Sequence, residues 1–212
     1  MQVAIPLYPR LTALDAIGPY EVLQRVPDFE IVFVGAERGE VRTENGMLGL
    51  TVDAVFAEVP RPDVIVVPGG IGSREQVRGG ALVDWVRAVH PTTRATTSVC
   101  TGSLILAAAG LLTDLDATTH WGATELLSRY GARPVRQRVV AHPAQRIVTA
   151  AGVSAGIDMA LALVAQLVDE TAARAAQVGI EYDPEPPFDA GHPEKVGPDV
   201  LGRIREYAGM RS

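Results

Sequence analysis

The chain contains a single cysteine, Cys100, and its setting suggests chemistry. It falls in Thr97-Ser98-Val99-Cys100-Thr101-Gly102-Ser103, where a β-rich run meets small residues and then an apolar helix. That is the layout of a nucleophile elbow with cysteine in place of serine. A sharp strand-to-helix turn is expected to hold the side chain in a strained, exposed position. Gly102 and Ser103 leave room for the strand and helix to cross closely. The helix amino terminus is expected to favour the thiolate. The Thr101 N–H is then free to face a developing negative charge. A second unusual strand end, Pro68-Gly69-Gly70, follows the β-branched run Asp63 to Val67. Glycines there permit close backbone approach and positive φ, so Gly70 can offer a second oxyanion donor. The blander alternatives are a buried structural thiol and an ordinary strand-ending turn.

These two strand ends need a frame. Short apolar runs at Gln2 to Tyr8, Phe29 to Val34, Asp63 to Val67 and Ala95 to Val99 read as strands. Helical patterns follow from Asp15, over Ala81 to Val89 and over Gly102 to Ala109. Val41 to Val52 alternates around Asn45-Gly46, a hairpin signal. Further on, Thr124 to Tyr130 reads as a helix, and Val135 to Ala141 and Arg146 to Ala150 as strands. Helices are expected after Ser154 and from Asp169 to Val178. The proline-rich Tyr182 to Pro198 reads as a surface arm before a short helix, Val200 to Ala208. Alternating strands and helices imply an α/β sandwich, a mostly parallel sheet with helices on both faces. Ligands in such sheets bind beyond the carboxyl ends of the strands. No internal boundary is visible, so residues 1–212 read as one domain.

Composition narrows the function classes. The chain is 47% hydrophobic and 21% charged, which excludes a disordered or collagen-like protein. A net charge of −6 argues against a nucleic-acid partner. One cysteine and four histidines give no metal-ligand spacing. Met1 to Pro9 reads as a strand and not as a secretory signal, and no run is apolar enough for a membrane helix. A cytoplasmic protein acting on a small molecule, with no membrane association, is expected.

A set of segments then resembles a known family. Leu14-Asp15-Ala16-Ile17-Gly18-Pro19, Val67-Pro68-Gly69-Gly70, Ser98 to Gly102, Ala117-Thr118-Thr119-His120-Trp121 and Ala151 to Asp158 look like the ThiJ/PfpI superfamily, within the class I glutamine-amidotransferase-like group. The tail from Tyr182 to Gly191 resembles its isonitrile hydratase branch. The resemblance implies a flavodoxin-like fold, a homodimer and no metal or organic cofactor. It also implies three catalytic positions: Cys100 as nucleophile, Thr101 after it, and Asp15 as general acid/base. Without the resemblance, Asp15 reads as a helix N-cap. His120 is placed by the resemblance near the cysteine; its bland reading is a half-buried ring bonded to backbone. Pocket walls are expected around Ile71 and Trp121.

The implied reaction adds water to an isonitrile and gives an N-substituted formamide through a covalent Cys100 thioimidate. Alternatives are a redox or stress-response protein in which Cys100 oxidises, a glyoxalase-type or other hydrolase, and a binding module without catalysis. Thr101 stands where PfpI-type peptidases carry histidine, and Asp15 where the glyoxalase branch carries glutamate. Regulators of related sequence continue into a helix-turn-helix domain, which is not expected within these residues. His192-Pro193-Glu194 imitates an amidotransferase Cys…His-x-Glu set, but no strand leads into it. His90 and His142 precede prolines and are expected to face solvent.

Overall fold

A computed structural model describes residues 1–209; Met210, Arg211 and Ser212, the end of the expected single domain, lie outside the described residues. The strands are β1 (Gln2–Pro6), β2 (Glu30–Gly35), β3 (Gly39–Arg42), β4 (Gly49–Val52), β5 (Ala54–Val55), β6 (Val64–Val67), β7 (Ala95–Val99), β8 (Asp116–Ala117), β9 (Arg133–Pro134), β10 (Val139–His142) and β11 (Ile147–Ala150). The helices are α1 (Ala13–Leu23), α2 (Ser73–Gln76), α3 (Ala81–Val89), α4 (Gly102–Ala108), α5 (Thr124–Arg129), α6 (Ala155–Leu167), α7 (Glu170–Gly179) and α8 (Pro198–Gly209). The chain forms two compact units, one over Met1–Ile180 and the other from Glu181 onward.

In the first unit a seven-stranded sheet runs β10-β11-β7-β6-β1-β2-β5. Every neighbouring pair is parallel except β10 with β11. The central strands explain this. β6 is Val-Ile-Val-Val, buried throughout, as a strand covered on both faces must be. β7 is also buried throughout, although it reads Ala-Thr-Thr-Ser-Val. Its hydroxyls are largely satisfied internally. Thr97 donates to the Ile65 carbonyl at 2.9 Å, and Thr96 lies 2.8 Å from the Thr93 hydroxyl. Helices cover both faces: α1, α6 and α7 pack together in one layer, and α3, α4 and α5 in the other.

Small residues let the layers close on the sheet. A Cβ at Gly156 would fall 3.0 Å from Val99 and 3.2 Å from Pro19, so α6 approaches β7 and α1 through that glycine. α3 turns Leu82, Val83, Trp85, Val86 and Val89 inward, and the Trp85 ring stacks on Phe56 at 5.0 Å. Its indole N–H donates to the Val59 carbonyl at 2.9 Å, which removes the cost of burying it.

Two expected elements differ in extent. The hairpin at Asn45-Gly46 has a six-residue tip, Thr43 to Leu48, between β3 and β4, not a two-residue turn. The Glu44 N–H bonds to the Leu11 carbonyl at 3.1 Å, which draws it out of the ladder. The expected strand from Val135 to Ala141 divides, because Val135 bonds to the Ala117 carbonyl, continuing the β8–β9 ribbon, while Val139 joins β10.

In the second unit, a short turn over Pro193–Lys195 precedes α8. The His192 ring accepts the Glu194 N–H at 3.3 Å, so this histidine caps its own turn.

Gly102 carries the tightest demand of the strand-to-helix crossing, since a Cβ there would run into the Val67 carbonyl oxygen. Gly102→Ala is therefore expected to destabilise the protein by about 2–3 kcal/mol in urea unfolding. A change under about 0.5 kcal/mol would mean that the crossing is slack.

Candidate active site

Cys100 has φ +56, a conformation rare for a residue with a side chain. The elbow is held from both directions. The Cys100 N–H donates to the carbonyls of Ala150 and Ala151 at 3.0 and 3.1 Å, beyond the end of β11. The Cys100 carbonyl accepts from Ser103 Oγ and from Thr119 Oγ1, both at 3.1 Å. These bonds hold a backbone state that costs on the order of 1–3 kcal/mol on its own.

Asp15 reaches the elbow from α1. It is not the N-cap: Thr12 holds that position, and Asp15 lies in the first turn, fully buried. Its Oδ2 accepts the Gly69 N–H at 2.9 Å, and its Oδ1 has no conventional hydrogen-bond partner. The weak S–H donor of Cys100 is the other group that meets this carboxyl. Burial is the main cause that raises the Asp15 pKa, to about 7, against the lowering effect of the Gly69 N–H and the thiol.

The sulfur does not match the expected exposed thiolate. Cys100 is 4% exposed. Burial first, and the Asp15 charge second, push the thiol well above its usual range. The Thr101 N–H and hydroxyl act in the opposite direction and do not prevail. α4 has only seven residues, and loss of water outweighs what its amino terminus can supply. Burial raises both acids; the Asp15 charge makes the thiol harder still to ionise, whereas the thiol, as a hydrogen-bond donor, eases ionisation of the carboxyl.

The diglycine turn is tied to both. Gly70 has φ +124, and its N–H donates to Thr101 Oγ1 at 2.8 Å. The same hydroxyl donates to the Gly70 carbonyl at 3.0 Å, so Thr101 pins this loop to the elbow. A Cβ at Gly69 would fall 2.6 Å from Thr101 Oγ1 and 2.9 Å from Asp15 Oδ2, so only glycine admits this approach. The Ile71 N–H donates to Glu44 Oε1 at 3.0 Å. The Gly70 N–H, expected to serve as a second oxyanion donor, therefore already has an acceptor, and so does the N–H of Ile71, expected in the pocket wall. Ile71 is 39% exposed and Trp121 is 44% exposed, so neither packs in the core.

His120 caps the short turn over Trp121–Ala123, with Nδ1 accepting the Gly122 N–H at 3.1 Å. Burial lowers its pKa, so the ring is neutral, and an accepting Nδ1 leaves the proton on Nε2. The interactions that shift the thiol come from Asp15 and Thr101, and His120 bonds to backbone. His90 and His142, expected in solvent, are half-buried. His90 Nδ1 lies 2.9 Å from Thr96 Oγ1, and His142 Nε2 lies 2.7 Å from the Asp116 carbonyl.

Sequence reading missed two residues here. Tyr8 is buried where the chain leaves β1, with its hydroxyl donating to the Pro68 carbonyl at 2.7 Å. Burial and the charges of Asp15, Cys100 and Glu44 raise its pKa, so it stays protonated beside them. Its place at a strand's carboxyl end was the available signal. Glu44 gave none, because a tertiary contact of the hairpin tip delivers it.

Two cavities lie near the site without being lined by Cys100. One of about 180 Å³ opens beside Thr101, between Arg74, Leu104, Leu126 and Arg129. One of about 390 Å³ lies at the ends of β1 and β2, between Tyr8, Arg38, Phe56 and Leu82. Among the described residues, no group of three or more His, Cys, Asp or Glu side chains is placed to hold a metal ion, and no helix is long and apolar enough to cross a membrane.

Comparison with known proteins agrees with this architecture. The chain is 40% identical over 208 residues to isonitrile hydratase from Pseudomonas putida, covering 98% of this chain and 90% of that one. It is 34% identical over 165 residues to the HTH-type transcriptional regulator CdhR from Pseudomonas aeruginosa, covering 76% of this chain and 48% of the regulator. The crystal structure of a ThiJ/PfpI family protein from Pseudomonas syringae superimposes with a TM-score of 0.91 at 34% identity, covering 99% of this chain and 86% of that one. Drosophila melanogaster DJ-1beta shares the fold, with a TM-score of 0.76 at 20% identity over 85% of this chain and 97% of that one. The DJ-1/PfpI family model matches residues 1–166, and the chain belongs to that family.

Proposed function

We propose that the protein hydrates isonitriles to N-substituted formamides, which makes it a carbon–oxygen lyase, with Cys100 as nucleophile and Asp15 as proton carrier. One observation carries this reading: a thiol and a carboxyl group are buried against each other, with a proton available between them. The similarity to isonitrile hydratase over nearly the whole chain supports it.

The reaction needs both a sulfur and a proton at one carbon. Asp15 as carboxylate takes the thiol proton, the thiolate attacks the terminal isonitrile carbon, and Asp15 returns the proton to that carbon. The product is a thioimidate, Cys100-S–CH=N–R. Water then adds to the carbon while Asp15 takes a water proton and passes it to nitrogen. The C–S bond breaks, the remaining hydroxyl proton returns to sulfur, and R–NH–CHO leaves. A high thiol pKa is no obstacle, because the first half-reaction is a net addition of S–H. Thr101 holds the Gly69-Gly70 loop against the elbow, so its loss would loosen Asp15 as well. A sulfur only 4% exposed also favours a slim, linear reacting group such as –N≡C.

The oxidation-sensor alternative draws less support. A sensing thiol needs exposure and a lowered pKa, and here both run the other way.

Purified protein is expected to convert cyclohexyl isocyanide to N-cyclohexylformamide, followed by chromatography of the product. Cys100→Ala should abolish turnover, and Asp15→Asn should lower kcat by at least about 100-fold. Wild-type turnover by Cys100→Ala would exclude covalent catalysis.

The pH dependence has a definite sign. The reactive pair holds one proton, which requires Asp15 to have lost its own, and Asp15 does so at about 7. Initial-rate profiles should show kcat/KM falling about tenfold per pH unit well below 7, with a plateau above it that ends only where the thiol ionises. A rate that rose toward pH 5 would contradict this assignment.

A further inference from the structure

Three successive backbone N–H groups are each held by a side chain from a different part of the fold. Gly69 donates to Asp15 Oδ2 at 2.9 Å, Gly70 to Thr101 Oγ1 at 2.8 Å, and Ile71 to Glu44 Oε1 at 3.0 Å. The first two acceptors belong to the proposed chemistry, whereas Glu44 has no part in it. Its position is nevertheless built. The Glu44 N–H bonds to the Leu11 carbonyl at 3.1 Å, and Thr43 closes the hairpin tip on the Leu48 carbonyl at 3.0 Å. The residue before the tip, Arg42, bonds through its own carbonyl to the Arg10 N–H at 2.9 Å. The hairpin, the β1–α1 loop and the diglycine loop are thus laced together, and Glu44 is the side chain that the lacing delivers.

The nearest basic side chain in sequence, Arg42, pairs with Glu40 at 2.7 Å, and Glu44 makes no ion pair among the described residues. Glu44 is exposed, while the groups its charge acts on are buried or half-buried: Asp15, Tyr8 and His120 all bind protons more tightly because of it. Glu44 thus puts a negative charge at the exposed end of the loop whose preceding N–H groups bind Asp15 and Thr101, the two residues that meet a sulfur only 4% exposed.

We propose that Glu44 selects reactants by charge: its carboxylate, fixed at the Ile71 N–H, admits uncharged and cationic small molecules to Cys100 and turns away anionic ones. This rests on Cys100 being the reacting group of the site, and it names the substrate class as neutral or cationic. Glu44 acts through its field and touches no reacting atom, so it is a specificity residue and not a catalytic one.

The single cysteine makes a test possible without any turnover. Cys100 alkylation would be timed with iodoacetamide, which is neutral, and with iodoacetate, which is anionic. The ratio of the two rates is compared between proteins, so their intrinsic difference cancels. Glu44→Gln keeps an acceptor for the Ile71 N–H and removes the charge. At low salt it is expected to lower the iodoacetamide-to-iodoacetate ratio about fivefold, and Glu44→Ala should do the same. High salt should shrink the wild-type preference toward that of the variants. In turnover, the kcat/KM preference for methyl isocyanoacetate over isocyanoacetate should fall by a similar factor in Glu44→Gln. An unchanged alkylation ratio in Glu44→Gln, or a change confined to Glu44→Ala, would overturn the proposal, the latter by showing that the hydrogen bond and not the charge matters. Because alkylation needs no hydratase activity, this result stands apart from the fate of the proposed reaction.

Discussion

The site depends on one constraint: two acids, the Cys100 thiol and the Asp15 carboxyl, are held together and largely removed from solvent. Either group in water would ionise near its ordinary value. Together and desolvated they resist becoming a pair of anions, so the first proton leaves at about 7 and the second only far above. The surroundings fix both positions. The positive φ of Cys100 aims the sulfur, and the Gly69 N–H orients the carboxyl. Tyr8 closes the same space with a ring whose hydroxyl is already bonded to Pro68. A buried carboxyl with one unsatisfied oxygen is a poor contributor to stability, which fits a group retained for its chemistry.

The sheet order explains why these groups meet. β1, β6 and β7 are central and parallel, so their carboxyl ends open on one edge. The loop after β1 leads into α1 and brings Asp15; the loop after β6 is the diglycine turn; the end of β7 is the elbow. Between the first two, the Thr12 N–H donates to the Gly69 carbonyl at 2.9 Å, and the Gly72 N–H to the Arg10 carbonyl at 3.1 Å. Together with the bonds between Thr101 and Gly70, they convert three separate loops into one seat. The glycines are required there because backbone, and not side chain, fills the space between the loops.

What the sequence disclosed follows the range of the interactions involved. The elbow was legible because a strand, a cysteine and small residues within seven positions define it locally. The parallel sheet was legible from β-branched runs alternating with helical patterns. Asp15 was less so: alone it reads as a cap, and its partner Gly69 lies 54 residues away, so only the family resemblance drew it to the sulfur. The thiolate expectation failed for a related reason. A helix amino terminus is visible in a local pattern, while burial and a carboxylate delivered from another helix are not, and here they dominate. Glu44 lay beyond reach altogether, since a six-residue hairpin tip and a bond to Leu11 set its position.

Because the chain has one cysteine, the ultraviolet absorbance of its thiolate reports Cys100 alone. Following that absorbance against pH in native protein and in Asp15→Asn tests the shared-proton pair directly. The thiolate should appear well above the range of a free cysteine in native protein, and at lower pH once the carboxyl charge is gone. A native thiolate already formed below neutral pH, or a titration that Asp15→Asn leaves in place, would contradict the account.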